Sequence, residues 1–206
     1  MWSTIKSLAN PYSQGSIAYR ARARRWHWLA ERFPIGEMKV VDLGGVSAFW
    51  EAAPLQPAHL TLVNLERQPT GGRSAFVQAD ACDPPDIGTF DLVISNSVLE
   101  HVGGYKRRRQ FAQVVHSLAP SHWVQTPYRY FPVEPHWVFP GFQFLPPVLR
   151  LRVARMWPFG FMPNSSLESV LSVELIGKRE MQHLFPDSEV SFEIWLGLPK
   201  SMIAIK

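Results

Sequence analysis

The stretch KVVDLGG, residues 39–45, decides the fold. It is a short apolar run with one acid, and two glycines follow it, a pattern typical of a buried strand that turns sharply. FDLVISN, residues 90–96, is a second such run, too apolar for a strand with one face in water. Three further strands are predicted at residues 59–66, 75–80 and 122–126. Because helix-like segments separate these strands, we expect a parallel sheet covered by helices on both faces.

Helical periodicity and a final pair of strands complete the predicted fold. Apolar residues recur every three to four positions in residues 16–33 and 106–118, and a further helix is expected near 174–185. Residues 189–196 and 201–206 are predicted strands, and the four residues 197–200 between them are few enough for an antiparallel hairpin at the sheet edge. The predicted fold class is α/β, with a mostly parallel seven-stranded sheet and a C-terminal antiparallel hairpin.

Composition excludes several classes of protein. The 206 residues are 46% hydrophobic and 18% charged, which argues against a disordered chain and fits one domain, residues 1–206. Cys82 is the only cysteine, so a disulfide framework and a cysteine zinc site are excluded. No apolar run is long enough to span a membrane and no signal sequence is expected, which favours a cytoplasmic location.

Positive charge is concentrated in two segments. Residues 1–39, which include a predicted N-terminal helical segment (1–38), carry seven Lys and Arg against two acids, and residues 106–155 carry eight against one. These segments are able to face an anionic partner such as lipid headgroups, a phosphorylated substrate or nucleic acid, or they are simply solvated faces. The sequence leaves both interpretations open.

Residues 127–165 form an insertion rich in proline and aromatic residues. Residues 147–157 are predicted to form a short basic amphipathic helix. The stretch 137–163 has three interpretations: a lid over an apolar acceptor pocket, a peripheral membrane element, or plain packing or a dimer contact. In the membrane interpretation, arginines meet the headgroups and aromatic rings lie beneath them; these are Arg150, Arg152 and Arg155 with Trp137, Phe142, Phe144 and Trp157.

Polar residues stand at the ends of four successive predicted strands. In open α/β sheets, ligands bind beyond the carboxyl ends of the strands. Gly44 and Gly45 let the backbone approach a ligand closely, and the carboxylate of Glu66 suits the two hydroxyls of a ribose. The remaining candidates are Asp42, Asp80, which is placed to accept a hydrogen bond from an adenine amine, and Asn96, which is placed beside a reacting centre.

These stretches together resemble the core of the class I S-adenosylmethionine-dependent methyltransferases. The resemblance implies a Rossmann-like fold, S-adenosylmethionine as cofactor and S-adenosylhomocysteine as product. It implies that Asp42 helps to orient the loop and the amino group of the cofactor, that the Gly44–Gly45 backbone passes against the methionine part, and that Glu66 holds the ribose. It further implies that Asp80 and the Ala81 backbone hold the adenine, and that the Asn96 backbone lies near the sulfonium. The matching stretches are VVDLGG (40–45), LVNLE (62–66), QADACD (78–83), FDLVISNSVLEHV (90–102) and the C-terminal residues 178–206.

The expected reaction is methyl transfer to an oxygen, less favourably to nitrogen or carbon. A glycine pair in the first motif with the segment TPYRYFPVEPHW (126–137) resembles bacterial members, and the acceptor is expected to be a small molecule, a lipid-linked compound or a saccharide. A nucleic-acid methyltransferase is disfavoured because Ser95-Asn96-Ser97-Val98 lacks the Asn/Asp-Pro-Pro-aromatic motif of base-amine methylators. A catalytically degenerate binding module stays open because the first motif has two glycines where the family commonly has three.

Candidate catalytic residues follow the fourth and fifth strands. His101 follows the fourth strand with Glu100, and Glu134 and His136 lie just past the fifth, held between prolines. Each is a candidate base or acceptor-binding group, and each has an alternative role in packing or bracing a loop. No metal is expected, since no helix carries histidines at a metal-binding spacing and methyl transfer does not generally require a metal.

Overall fold

The computed structural model describes residues 17–51, 53–69, 71–72, 74–161 and 166–206. Its helices are α1 (Ile17–Arg32), α2 (Ser47–Glu51), α3 (Tyr105–Leu118), α4 (Pro147–Met156), α5 (Leu167–Leu171) and α6 (Lys178–Leu184). Its strands are β1 (Lys39–Leu43), β2 (His59–Asn64), β3 (Ser74–Gln78), β4 (Leu92–Asn96), β5 (Ser121–Pro127), β6 (Val133–Glu134), β7 (Phe139–Pro140), β8 (Glu189–Trp195) and β9 (Leu198–Ile205).

Seven strands form one sheet in the order β3-β2-β1-β4-β5-β9-β8. The first five are parallel, and β9 runs antiparallel between β5 and β8. This confirms the predicted fold class. The strand order reverses beside β1, where Val41 pairs with Thr61 on one side and with Val93 on the other. A ligand crevice is expected where the carboxyl ends of β1 and β4 diverge.

The two faces of the sheet are both buried, which explains the continuous apolar strands. Side chains alternate between the faces of a strand, so neighbours enter different cores. Val41 and Val93 pack with α3 through Phe111, whereas Val40 and Leu92 pack on the opposite face. That second core also takes residues from α1 and α2, namely Trp26, Leu29, Phe49 and Trp50.

The insertion builds a small core of its own. Trp137 stacks on Phe142 with ring centroids 4.6 Å apart, and both side chains are buried. Ala154 of α4 and Val170 of α5 close this core, so the predicted basic helix packs inside the insertion. The membrane interpretation of these residues is therefore wrong for Trp137 and Phe142, because neither ring is free to enter a lipid layer.

Arg150 also departs from the role expected of it. Its guanidinium donates to the backbone oxygens of Leu145 and Gln143, at 2.8 Å each, so it ties α4 to the preceding turn instead of facing headgroups. Arg152, Arg155 and Phe144 are exposed, as the membrane interpretation required. No helix in the described part of the chain is long and apolar enough to cross a membrane.

Several of the basic side chains have acidic partners within the chain. Arg25 of α1 forms a two-pronged pair with Glu193 of β8, at 2.8 Å for both contacts, and Arg32 pairs with Glu189. Arg108 of α3 pairs with two carboxylates of the C-terminal part, Glu174 and Glu180. Part of the positive charge of both segments therefore stabilises contacts between elements instead of facing outward.

Several element boundaries differ from the sequence predictions. β2 ends at Asn64, so Glu66 lies beyond the strand, and β3 ends at Gln78. α6 begins at Lys178 because the preceding residues are extended, with Ile176 bridging to Tyr128. The hairpin between β8 and β9 turns on Leu196 and Gly197, both at positive φ (49° and 78°), so the four-residue loop expected at 197–200 is wrong. The predicted helix at 16–33 is confirmed as α1, while residues 1–16 lie outside the described part.

Candidate active site

The turn after β1 has no room for side chains. Gly44 has φ of 77°, and a Cβ placed on it would lie 2.9 Å from Val98 Cγ1. A Cβ on Gly45 would lie 2.6 Å from Asp42 Oδ2. Both positions therefore require glycine, and the backbone is left bare at the point where the sheet order reverses. Two glycines are enough for this turn, because α2 already begins at Ser47.

Asp42 supports this turn from inside the sheet. Its side chain is 2% exposed, and Trp50 Nε1 donates a hydrogen bond to its Oδ2 at 2.8 Å. Burial raises the pKa of this carboxyl to about 7, because desolvation disfavours the charged form and the Trp50 hydrogen bond offsets only part of that. Asp42 thus lies against Gly45, and its carboxyl is covered by protein.

Asn64 belongs to the site although its sequence context does not single it out. Its Nδ2 donates to the backbone oxygens of Gly44 and Gly45, at 3.1 and 3.0 Å, and its Oδ1 accepts from the backbone N–H of Glu66 at 3.0 Å. One side chain therefore fixes the glycine turn against the residue expected to hold a ribose. The signal for Asn64 is its place as the last residue of β2, which the longer predicted strand obscures.

Glu66 is exposed, and within the described residues its carboxylate takes part in no hydrogen bond or ion pair. Its backbone is nevertheless held by Asn64 and by Gln68, whose Nε2 donates to the Glu66 carbonyl at 3.3 Å. A carboxylate on a braced backbone with free lone pairs is suited to accepting two hydrogen bonds from a diol.

Asp80 follows β3 and is already hydrogen-bonded. Its Oδ1 accepts from the backbone N–H of Cys82 at 2.8 Å, and its Oδ2 accepts from the guanidinium of Arg107. Partial burial acts to raise the pKa of Asp80, but these hydrogen bonds and the charge of Arg107 prevail and lower it. The carboxylate is partly exposed and keeps lone pairs for a further donor, while Ala81 beside it is buried.

Asn96 ends β4 with a buried polar atom that lacks a partner. Its Oδ1 is buried and accepts no hydrogen bond from the described residues. The next residue, Ser97, has φ of 55°, and its backbone N–H donates to the Gln125 carbonyl at 3.0 Å. Because buried acceptors are normally hydrogen-bonded, Asn96 Oδ1 is suited to accept a hydrogen bond from a bound ligand.

Four side chains gather beyond β4 and β5, and we call Glu100, His101, Glu134 and His136 the histidine–glutamate cluster. His136 Nε2 lies 3.1 Å from His101 Nε2, and His136 Nδ1 lies 2.7 Å from Glu134 Oε1. The sequence points to all four separately, and the structure brings them together across 35 residues of chain. This proximity depends on the insertion folding back over the end of β4, which no local pattern reveals.

Glu134 is held by the turn it begins. Its Oε2 accepts from the backbone N–H groups of His136 and Trp137, at 2.8 Å each, and the side chain is buried. The imidazole of His136 therefore contacts a Glu134 carboxylate whose orientation is fixed by these two hydrogen bonds. Burial acts to lower the pKa of His136, but the hydrogen bond and charge of Glu134 prevail and raise it.

Glu100 and His101 respond to burial in opposite senses. Glu100 is 1% exposed, its Oε2 accepts from Thr126 Oγ1 at 2.9 Å, and its Oε1 has no partner among the described residues. Burial raises the pKa of Glu100 to about 7. Burial also lowers the pKa of His101 to about 4, aided by the positive charge of His136. The pKa values of Glu100 and His136 are thus raised and that of His101 is lowered, and shifts of this kind are common in sites of acid–base chemistry.

Comparisons with known proteins bear on the fold. No protein-family model matches the chain, and no curated protein sequence matches it. Solved structures do match. The N-methyltransferase NodS from Bradyrhizobium japonicum is 11% identical, with a TM-score of 0.54, over 90% of this chain and 95% of NodS.

Two further matches were crystallised with ligands. Magnesium protoporphyrin IX methyltransferase from Synechocystis, with bound SAM, is 11% identical with a TM-score of 0.55, over 99% of this chain and 91% of that one. The second is the 1,6-didemethyltoxoflavin-N1-methyltransferase from Burkholderia thailandensis, with bound 1,6-didemethyltoxoflavin and S-adenosylhomocysteine. It is 12% identical with a TM-score of 0.55, over 98% of this chain and 84% of that one. The chain therefore has the fold of the class I S-adenosylmethionine-dependent methyltransferases.

Proposed function

We propose that this chain transfers a methyl group from S-adenosylmethionine to an oxygen of a small-molecule, lipid-linked or saccharide acceptor. The observation that carries the proposal is the histidine–glutamate cluster, which lies beyond β4 and β5 in a fold whose crystallised examples include complexes with SAM or SAH. Nucleophile activation is the chemistry to which such a cluster is suited.

The residues at the strand ends fit the cofactor. The glycine turn offers backbone without side chains. Among the described residues, the buried Asn96 Oδ1 and the exposed Glu66 carboxylate both lack a hydrogen-bond partner. Gly44 and Gly45 would lie against the methionine part, with Asp42 supporting them. Glu66 would accept the ribose hydroxyls, Asp80 and the Ala81 backbone would bind the adenine, and Asn96 would lie near the sulfur.

The chemistry requires orientation and the removal of one proton. Bound S-adenosylmethionine supplies an electrophilic methyl group on a positively charged sulfur. The acceptor oxygen forms the new C–O bond as the C–S bond breaks, the electron pair stays on sulfur, and the hydroxyl proton leaves at the cluster. His101, Glu134 and His136 bind and activate that hydroxyl, and holding it in line with the methyl group contributes much of the rate.

The insertion contributes two residues of the cluster. Glu134 and His136 belong to the insertion. Trp137, which follows His136, is held by its stacking on Phe142 and by the hydrogen bond from its backbone N–H to Glu134. We infer that the insertion shapes the acceptor pocket, so its packed core serves to exclude water from the reacting oxygen.

Binding of S-adenosylhomocysteine tests the cofactor half of the proposal. Glu66→Ala removes the proposed ribose contact. The affinity of the chain for S-adenosylhomocysteine, measured by isothermal titration calorimetry, should then fall at least about tenfold, because a hydrogen bond to a charged group is worth about 1.5–3 kcal/mol. Glu37→Ala is the matched control, because Glu37 is also exposed but precedes β1, at the opposite end of the sheet. Absence of binding to the unaltered chain at high micromolar concentration would refute the proposal.

A further inference from the structure

The two imidazoles of the histidine–glutamate cluster lie with their Nε2 atoms facing each other. Glu134 Oε1 lies 2.7 Å from His136 Nδ1, so in the neutral ring the proton is on Nδ1 and Nε2 is bare. His101 faces this bare nitrogen with its own Nε2. The two Nε2 atoms lie 3.1 Å apart, a separation at which they share either one proton or one metal ion.

Glu100 supplies a third ligand and an independent observation. Its side chain is 1% exposed and its Oε1 has no hydrogen-bond partner among the described residues. One ligating atom from each of Glu100, His101 and His136 lies within 4.8 Å of the others. A buried carboxylate oxygen left without a donor is costly unless a cation meets it.

The distances suit a metal ion. Nitrogens at about 2.0–2.1 Å from a tetrahedral zinc lie roughly 3.3 Å apart, close to the separation of the two Nε2 atoms. We propose that Glu100, His101 and His136 bind one first-row divalent transition-metal ion, with Zn²⁺ the natural example, and that this ion holds the acceptor oxygen of the proposed methyl transfer. Imidazole nitrogens favour such ions over Mg²⁺, whose ligands are almost all oxygens.

The surroundings complete the features of a metal site. Glu134 hydrogen-bonds to the His136 ring, and Thr126 hydrogen-bonds to the other oxygen of Glu100. Outer partners of this kind orient metal ligands and strengthen binding. His101 is exposed, so the three protein ligands leave one side open, as catalytic zinc sites do.

A metal at this place departs from the expectation drawn from the sequence. That expectation relies on a ligand pair within a single helix, whereas these ligands come from the loop after β4 and from the insertion. Resting on the proposed function, the inference assigns activation of the acceptor to the ion. In this arrangement His101 and His136 act on the hydroxyl through the ion and do not accept its proton themselves. An oxygen bound to a divalent ion loses its proton near neutral pH, and that proton passes to solvent.

The test measures metal binding directly on the full chain, without a histidine tag and after removal of metals by a chelator. Titration calorimetry with ZnCl₂ should show one ion per chain, and MgCl₂ should show none. His136→Gln and Glu100→Gln should each weaken Zn²⁺ at least about tenfold, whereas His183→Gln, an exposed imidazole on α6, should bind as the unaltered chain does.

A second readout does not depend on the variants. CoCl₂ added to the stripped, unaltered chain should produce the intense visible absorption of low-symmetry Co²⁺, and one equivalent of ZnCl₂ should remove it. Absence of one-to-one binding, or equal Zn²⁺ affinity in His136→Gln, would overturn the metal site. S-adenosylhomocysteine binding by the same stripped chain separates the two proposals: if it persists where Zn²⁺ fails to bind, only the metal site is lost.

Discussion

At the scale of single residues, the site depends on positions where no other residue fits. Gly44 has a positive φ, and a Cβ on it would overlap the methyl groups of Val98, a short branched side chain with no flexible end that could move aside. Asn64 is equally specific, because only a side-chain amide donates to two carbonyls while accepting from the Glu66 N–H. Neither requirement arises from hydrophobic patterning, and both come from how closely β1, β2 and the loop after β4 approach.

Gly44→Ala should destabilise the protein by about 2–4 kcal/mol, because the new methyl group overlaps Val98 and the backbone keeps a left-handed φ. Urea unfolding followed by circular dichroism measures this. Gly72→Ala is the matched control: it shares a positive φ of 63°, but a Cβ placed there has no described atom within 4 Å, so it should cost only about 1 kcal/mol. Equal losses in both variants would show that the close packing against Val98 contributes nothing.

His122 gives the protein a specific sensitivity to acid. It is fully buried on β5, its Nε2 lies 2.7 Å from Ser188 Oγ, and its Nδ1 has no partner among the described residues. Burial lowers the pKa of His122 to about 4, with help from the charges of His116 and Lys206, while Asp187 acts the other way. The unfolded chain then binds the proton more readily, so stability should fall as pH drops from about 6.5 to about 4.

The predicted loss from His122 is about 2–3 kcal/mol over that pH window. His122→Gln removes the titration, so the difference in urea midpoint between pH 7 and about pH 4.5 should shrink relative to the unaltered chain. His59→Gln, an exposed imidazole on β2, should leave that difference as it was. A His122→Gln chain that loses as much stability in acid as the unaltered chain would contradict the prediction.

At the scale of elements, α3 links the sheet to the segment that supports the cluster. Arg108 is 7% exposed, and its guanidinium donates to Glu180 of α6 at 2.7 Å and to Glu174 at 2.6 Å. The backbone N–H of Glu174 in turn donates to the carbonyl of Glu100 at 2.9 Å. A single arginine therefore positions the chain segment that runs beside the histidine–glutamate cluster.

Arg108→Ala should lower the free energy of unfolding by about 2 kcal/mol, since it removes charge-assisted hydrogen bonds from a largely buried side chain. Arg109→Ala, an exposed neighbour on the same helix, should change it by less than about 0.5 kcal/mol. Chemical denaturation of the unaltered chain and both variants decides the matter. Similar midpoints for Arg108→Ala and Arg109→Ala would mean that the Glu174 and Glu180 contacts contribute little in water.

The secondary-structure elements also show which parts of the structure can be predicted from the sequence. The parallel strands and α3 are predictable because burial on both faces forces continuous apolar runs between helical ones. The β8–β9 turn is not, because Leu196 adopts a positive φ that its residue type disfavours and that the paired strands impose. The meeting of His101 with His136 is not predictable either, since it depends on the packing of the insertion around Trp137 and Phe142.

At the scale of the whole molecule, the sheet joins its two faces into one cooperative unit. Ile203 of β9 is fully buried in the core on the α1 face, while the adjacent Met202 and Ala204 enter the other core. A substitution that destabilises the core on one face therefore also destabilises the other core through β9. We expect the protein to unfold in a single transition.

Ile203→Ala should cost about 2–5 kcal/mol, because it leaves a cavity that the packed strand cannot close. Leu198→Ala on the same strand, where the side chain is 46% exposed, should cost less than about 1 kcal/mol. Thermal unfolding followed by tryptophan fluorescence and by far-ultraviolet circular dichroism should give coincident transitions in both variants. Separate midpoints for the two signals in Ile203→Ala would contradict the cooperative sheet.

The position of β9 has a consequence for how the chain acquires this sheet. Thr126 pairs with Met202, and β8 has no neighbour in the sheet other than β9 among the described strands. During synthesis, β5 emerges long before its partner, so its open edge remains unpaired while the insertion and α6 are made. An unpaired apolar edge invites association with other chains. We expect this interval to be when the nascent protein depends most on chaperones.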